Sequence, residues 1–393
     1  MKILVVCQYY FPEPFRITDI CEELVKQGHE VTVVTGTPNY PLGEIYSGYE
    51  NRKHSDEILN GVKVHRCSIH PRKTGPIHRL WNYYSYAFSS SKYIKKLDNS
   101  YDVVLINQLS PVMMANAGIQ YARKHKKKCL LYCLDLWPAS LRVGGVNGGL
   151  IYKWFHRESK RIYRTVDAIL ASSKSFETYF EKQFNINDIT YLPQFAEDIF
   201  NPEECCKHSN GYVDLMFAGN VGIAQRVDVI INAAAICKDI PNLKWHIVGD
   251  GIELENCKNL AKSLELNSVV FHGRKALEVM PTYYAMADAM LVTMQKDPII
   301  SLTLPGKVQT YMAAGKPIIG AVDGEANFII NDAKCGLCCA TEDAEALAEC
   351  VREFILSDNA ELYSKNAVEY YQKNFTKKKF MSDLVYCLER NKT

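Results

Sequence analysis

Lys307 lies in the segment LPGKVQTYMAAGKP, residues 304–317, where Pro305 and Gly306 open a helix and Gly315 with Pro317 ends it. First-turn amides and the helix dipole make such an amino end an anion site. Gly306 lets a phosphate approach the backbone, and a lysine there adds a point charge suited to a diphosphate. An ordinary helix start with a solvated lysine has the same pattern. A second cation, Arg226, closes FAGNVGIAQR (217–226), in which Gly219, Asn220 and Gly222 follow a strand. That turn resembles half of a dinucleotide fingerprint without its full spacing, and a plain strand-to-helix turn reads alike. Arg226 could hold phosphate oxygens bidentately. IVGDG (247–251) and HGRK (272–275) end two further strands, and the loop at Arg274 could offer backbone groups to a base. Asp135, in DLWPAS (135–140), is of another kind. A carboxylate at the carboxyl end of a central strand is where a catalytic or hydroxyl-orienting acid belongs, although Asp135 could equally cap the next turn.

These loops need elements to hold them. Apolar runs of strand length occur at 1–7, 29–36, 63–67, 102–107, 128–135 and 166–173, and a helix over 16–27 is closed by Gly28. Continuous rather than alternating apolarity predicts strands covered on both faces, hence a parallel sheet wrapped by helices. After a polar, turn-rich stretch at 201–211 the pattern restarts at 213–220, 243–251, 267–273, 288–294 and 316–322, and beyond about Glu342 only helices remain. The expectation is an α/β protein of two Rossmann-like, doubly wound domains, 1–200 and 211–370. A last helical stretch, 371–393, should pack back on the first domain. Open sheets of this class bind ligands beyond the carboxyl ends of their strands, so two of them would share a crevice.

Composition narrows the function. A chain of 393 residues exceeds a single hydrophobic core. Lys+Arg 46 against Asp+Glu 44 leaves a net charge of +2, which excludes the bulk cationic surface of a general nucleic-acid binder. Fourteen cysteines behind a start that reads as a first strand rather than a signal peptide suggest buried thiols in a reducing cytosol. Cys335, Cys338 and Cys339 read as small strand residues rather than a metal site. No stretch approaches the ~18 apolar residues of a membrane span. Residues 65–97 hold seven basic residues (Arg66, Arg72, Lys73, Arg79, Lys92, Lys95, Lys96) and no acid, interleaved with Trp81, Tyr83, Tyr84, Tyr86, Phe88 and Tyr93. This suits anionic lipid headgroups, or equally a solvated basic face with its aromatics turned inward.

Taken in order, MKILVVCQYYFPEP, DLWPAS, FAGNVGIAQ, IVGDG, VVFHGR, YAMAD and LPGKVQTYMAAGKPII resemble a family 4 retaining glycosyltransferase of GT-B fold, in the subgroup that builds bacterial capsule, O-antigen or exopolysaccharide units. The resemblance implies a UDP-sugar donor, of N-acetylhexosamine type, held by the second domain, and an undecaprenyl-diphosphate-linked saccharide as acceptor. It implies no metal or other cofactor, and a cytoplasmic protein peripheral at the inner face of the plasma membrane. By position, Lys307 with the amides of Pro305 and Gly306 would face the diphosphate, Arg226 would be a second cation, and Arg274 would lie at the base. Asp135 would lie beside the reacting sugar, and the FPEP loop with Arg16 would close over the phosphates. There are departures. Leu302 and Thr310 stand where many members carry two glutamates, the second on the ribose. Asn220 and Gln225 stand where Arg and Lys are usual, Phe15 and Arg16 replace a Gly-Gly, and Leu134 replaces a histidine. A UDP-N-acetylhexosamine 2-epimerase using His246, His272 and Asp135, or a non-catalytic nucleotide-sugar-binding subunit, are the alternative readings.

Overall fold

The computed structural model describes all residues except 41–42, 72–75, 145–147, 207–209 and 391–393. Arg72 and Lys73 of the basic stretch, and residues 207–209 of the polar stretch, therefore lie outside the described residues. The chain divides into two compact units, one of Met1–Leu192 together with the segment from Met381 onward, the other of Pro193–Phe380. The break at Leu192–Pro193 precedes the expected linker. Residues 201–206 belong to the second unit, and Cys205 is fully buried there.

The first unit holds an eight-stranded sheet in the order β3-β4-β2-β1-β5-β6-β7-β8. Its strands are β1 (Lys2–Cys7), β2 (Glu30–Gly36), β3 (Asp56–Leu59), β4 (Val62–Cys67), β5 (Val103–Gln108), β6 (Lys128–Cys133), β7 (Ala168–Ala171) and β8 (Ile189–Tyr191). Every pairing is parallel except β3 with β4. The helices are α1 (Ile17–Lys26), α2 (Pro76–Ile94), α3 (Asn116–His125), α4 (Gly149–Tyr163) and α5 (Phe176–Phe184). In α1 the buried residues Ile17, Ile20, Cys21 and Leu24 recur at helical spacing, which lays one apolar stripe on the sheet.

The second unit holds a six-stranded parallel sheet in the order β11-β10-β9-β12-β13-β14. Its strands are β9 (Val213–Ala218), β10 (Leu243–Val248), β11 (Val269–Gly273), β12 (Ala289–Thr293), β13 (Ile318–Ala321) and β14 (Gly336–Cys339). Seven helices follow in chain order: α6 (Val227–Ile236), α7 (Leu254–Ser263), α8 (Met280–Met286), α9 (Gly306–Ala313), α10 (Gly324–Ala333), α11 (Ala344–Leu356) and α12 (Ala360–Asn374). The last helix, α13 (Lys377–Arg390), starts in this unit and continues into the first from Met381. Numbered within the unit, the strand order is 3-2-1-4-5-6, so the winding reverses between β9 and β12, and it is beyond the carboxyl ends at such a reversal that open sheets bind ligands. One core, with Met216, Val308, Tyr311 and Met312, covers one face of this sheet; another, with Phe217, Ile230, Trp245 and Leu347, covers the other.

Two strands, β3 and β8, escape sequence reading. The acid-rich DEIL of β3 has no apolar run of its own and owes its conformation to pairing with β4. β8 is three residues long. β14, by contrast, takes up Cys338 and Cys339, which read as small strand residues, and completes the sheet edge beside β13.

Candidate active site

The expected site residues fall into two groups, one in each unit. In the second, β9 ends at Gly219, whose φ of 145° is one that a side chain disfavours. Backbone bonds knit three strand-end loops together. The Gly219 amide donates to Val248, the Gly249 amide to Gly273 (3.0 Å) and the Val221 amide to Asp250 (2.9 Å). Gly249 also has a φ of 145°, and a Cβ there would lie 1.8 Å from the Gly219 carbonyl oxygen. The loops after β9 and β10 touch because this position is glycine.

Against this ledge stands α9. Pro305 caps it in extended conformation with no side-chain cap, and the Val308 amide donates to the Pro305 carbonyl at 2.9 Å. Tyr311, fully buried one turn on, ties the helix to the strand: its hydroxyl accepts from the Ala218 amide and donates to the Ala218 carbonyl, both at 3.1 Å. Lys307 then crosses the end of β9. Its Nζ is 3.8 Å from the centroid of the Phe217 ring and 3.2 Å from where a Cβ on Gly219 would sit. The amine is buried and, among the described residues, has no hydrogen-bond partner. Burial without a counter-charge pushes its pKa down to about 7. A desolvated, partnerless amine at a helix amino end is a preformed place for anionic oxygen.

The neighbours differ from expectation in detail. Arg226 is in left-handed conformation, φ 42°, and its guanidinium is held by Asp228 (2.8 Å) and Glu342 (2.5 Å). These carboxylates raise its pKa further, and its charge is engaged in bracing the loop after β9. Asn220 is exposed and donates to Gln225 at 3.1 Å, so the two departures from the family pattern on this loop pair with each other. Gly222 sits under that pair: a Cβ there would meet the Asn220 Nδ2 at 2.6 Å. Arg274 is exposed just after Gly273. The Thr310 hydroxyl donates within α9 to the Gly306 carbonyl at 3.1 Å.

His246 and His272 lie in a chain across the sheet. Asp214 Oδ1 bonds His246 Nε2, and His246 Nδ1 bonds His272 Nε2, each at 2.9 Å. Burial, then His246 and Lys275, lower the pKa of His272. This network links β9, β10 and β11 inside the second unit, whereas Asp135 belongs to the first.

In the first unit Asp135 follows β6. Its carboxylate accepts from the Ser110 hydroxyl, and Ser110 in turn lies 3.1 Å from the Ser140 hydroxyl. Gln108 fixes the backbone by donating to the Asp135 carbonyl at 3.0 Å. Arg16 is the residue immediately before α1, and its charge acts on the buried Tyr132. Sequence reading missed Glu13, the acid between the two prolines of FPEP. It folds inward, and its carboxylate accepts from the amides of Asn39 (2.8 Å), Tyr40 (2.7 Å) and Tyr10 (3.3 Å). Burial outweighs those bonds and pushes its pKa up to about 7. An acid flanked by prolines was the available signal, though its partners are 26 and 27 residues away.

Comparison with known proteins bears on the same geometry. Residues 16–196 match the family described as Glycosyltransferase Family 4, and residues 207–373 match Glycosyl transferases group 1. The putative colanic acid biosynthesis glycosyl transferase WcaI of Escherichia coli is 24% identical, over 98% of this chain and 99% of that protein. Among solved structures, the sucrose-phosphate synthase of Thermosynechococcus elongatus superposes with a TM-score of 0.77 at 16% identity, covering 99% of this chain and 98% of that one. HepE of Anabaena, solved with UDP and glucose, gives 0.73 at 16% identity, over 99% of this chain and all (100%) of that one. With both halves matched in order and both sheets of the expected winding, the chain belongs to glycosyltransferase family 4 and has the GT-B fold.

Proposed function

We propose that the protein transfers a sugar, with retention of anomeric configuration, from a UDP-sugar of N-acetylhexosamine type to an undecaprenyl-diphosphate-linked saccharide during synthesis of bacterial surface polysaccharide. The buried, partnerless amine of Lys307 at the head of α9 carries this reading. As the bond to the sugar breaks, negative charge grows on the departing diphosphate. A preorganised ammonium and a helix amino end lower the energy of that state more than that of the bound donor. Phe217 and Gly219 hold the amine in place, and a site already stripped of water strengthens its attraction. This positive charge does the work a divalent metal does elsewhere, so no metal enters the reading. Asp135, steadied by Ser110, attends the reacting hydroxyl, and the loop at Arg274 receives the base. The colanic acid relative supports the polymer class, and the UDP held by HepE supports the donor nucleotide. A lipid-linked acceptor would be met at the inner face of the plasma membrane. Among the described residues no helix is long and apolar enough to cross a membrane.

Turnover of the Lys307→Ala variant on UDP-N-acetylglucosamine and a lipid-diphosphate-linked monosaccharide should fall ~10²-fold or more, the scale of losing one preorganised charge. NMR of the product should show the donor's anomeric configuration. Unchanged turnover in Lys307→Ala removes the amine from the site, and an inverted product removes retention.

A further inference from the structure

In the first unit the aromatics of α2 divide into two sets. Tyr83 and Tyr86 turn inward, while Trp81 (63% exposed) and Phe88 (76%) turn outward. Residues 81, 84, 88 and 92 recur at spacings of three and four, so Trp81, Tyr84, Phe88 and Lys92 form one stripe along the helix. A helix from elsewhere in the sequence extends this stripe. At the start of α4, Leu150 is 85% exposed, Ile151 66% and Trp154 46%. The Trp154 ring lies 6.1 Å from that of Tyr84 and joins the two helices in one apolar surface. Five large apolar side chains at such exposure on two adjacent helices exceed the scattered apolar residues of an ordinary surface.

The charges around the patch say what covers it. Lys92, Lys153 and Arg157 are exposed on the same helices. Helix α2 contains no acid, and the single acid of α4, Glu158, is ion-paired with Arg161 at 3.0 Å. A second copy of the chain docked about a two-fold axis would set this cationic rim against itself. An anionic bilayer surface answers both features: aliphatic and indole groups enter the headgroup–acyl boundary while Lys and Arg meet lipid phosphates.

We propose that the α2–α4 face, with Trp81, Phe88, Leu150, Ile151 and Trp154 as inserted groups, docks the protein on an anionic lipid bilayer. This deepens the lipid-linked acceptor reading, in that the face brings the protein to the surface where such an acceptor resides. It can nevertheless fail while that reading stands, because vesicle binding is measured without donor or acceptor.

The test uses the protein's own fluorophores. Of its four tryptophans, Trp137 and Trp245 are buried, so Trp81 and Trp154 report on the surface. Vesicles containing phosphatidylglycerol should shift the emission to the blue and co-sediment the protein, and vesicles of phosphatidylcholine alone should do neither. Brominated acyl chains should quench the shifted emission. The double change Leu150→Glu with Ile151→Glu, at sites too exposed to disturb folding, should weaken binding about tenfold or more while the thermal shift given by UDP is kept. Trp81→Glu with Phe88→Glu should do the same from the other helix. Equal binding to both vesicle types, an unshifted emission, or variants that bind like the wild type would overturn the proposal. Light scattering that shows a dimer abolished by the same variants would also overturn it and give the face to a second copy.

Discussion

Lys307 shows how an ordinary side chain becomes poised by its surroundings. Among the described residues no hydrogen-bond acceptor or counter-charge meets its Nζ, so the amine gives up its proton far more readily than a solvated lysine. With a pKa near 7 in the free protein, the native state binds fewer protons than the unfolded chain from about pH 7 to the usual lysine value. Stability contributed by this group therefore rises with pH through that window. A diphosphate reverses the balance by favouring the ammonium. At pH 8, UDP binding should take up close to one proton per site, seen as an apparent binding enthalpy that differs between Tris and HEPES buffers by their ionisation heats. Lys307→Met should abolish the difference; a difference that survives in this variant assigns the proton elsewhere. Arg226 is the contrasting case. Its charge is met by Asp228 and Glu342, both partly exposed, so Arg226→Ala should cost about 1 kcal/mol or less in stability and leave turnover within a fewfold of wild type. A loss matching that of Lys307→Ala would place Arg226 on the diphosphate instead.

At the scale of elements, the site is a set of strand ends and one helix start held in register. Tyr311 decides how α9 meets β9, since its hydroxyl satisfies both the amide and the carbonyl of Ala218. Tyr311→Phe leaves those groups without that partner, at a cost of about 1–3 kcal/mol. Because the amine rides on the same helix, kcat should fall more than KM for the donor rises; an unaltered kcat in a destabilised variant would reduce Tyr311 to a packing residue. The Asp214–His246–His272 chain braces the other side of the sheet, and the lowered pKa of His272 gives it a sign. The native state resists protonating this ring, so the brace weakens as pH falls through the ordinary histidine range. Strand and helix placement was legible from sequence where a segment is closed by Gly or Pro, as at β2, β9 and α9. The chain of partners from Asp214 to His272 was not legible, because its members are far apart in sequence and meet only through strand pairing in the order β11-β10-β9.

At the scale of the molecule, two units, each with its own sheet and its own buried apolar residues, predict unfolding that is not two-state. Calorimetry should resolve two transitions, and UDP should raise the one belonging to the second unit, since only a unit that binds the ligand gains from it. One transition moving as a whole would mean the units unfold together. Local chemistry along the chain was enough to announce two α/β halves, a helix start at Pro305–Gly306 and an acid at the end of the apolar run 128–135. Those features depend on short-range rules of propensity, capping and apolar periodicity. Folding alone settled which charges are available. Lys307 and Arg226 are both cations at helix starts in the sequence. Packing buries the first without a partner and gives the second two carboxylates, one of them more than a hundred residues away. Burial and partnership come from contacts between distant segments, and pattern within a segment carries no information about them.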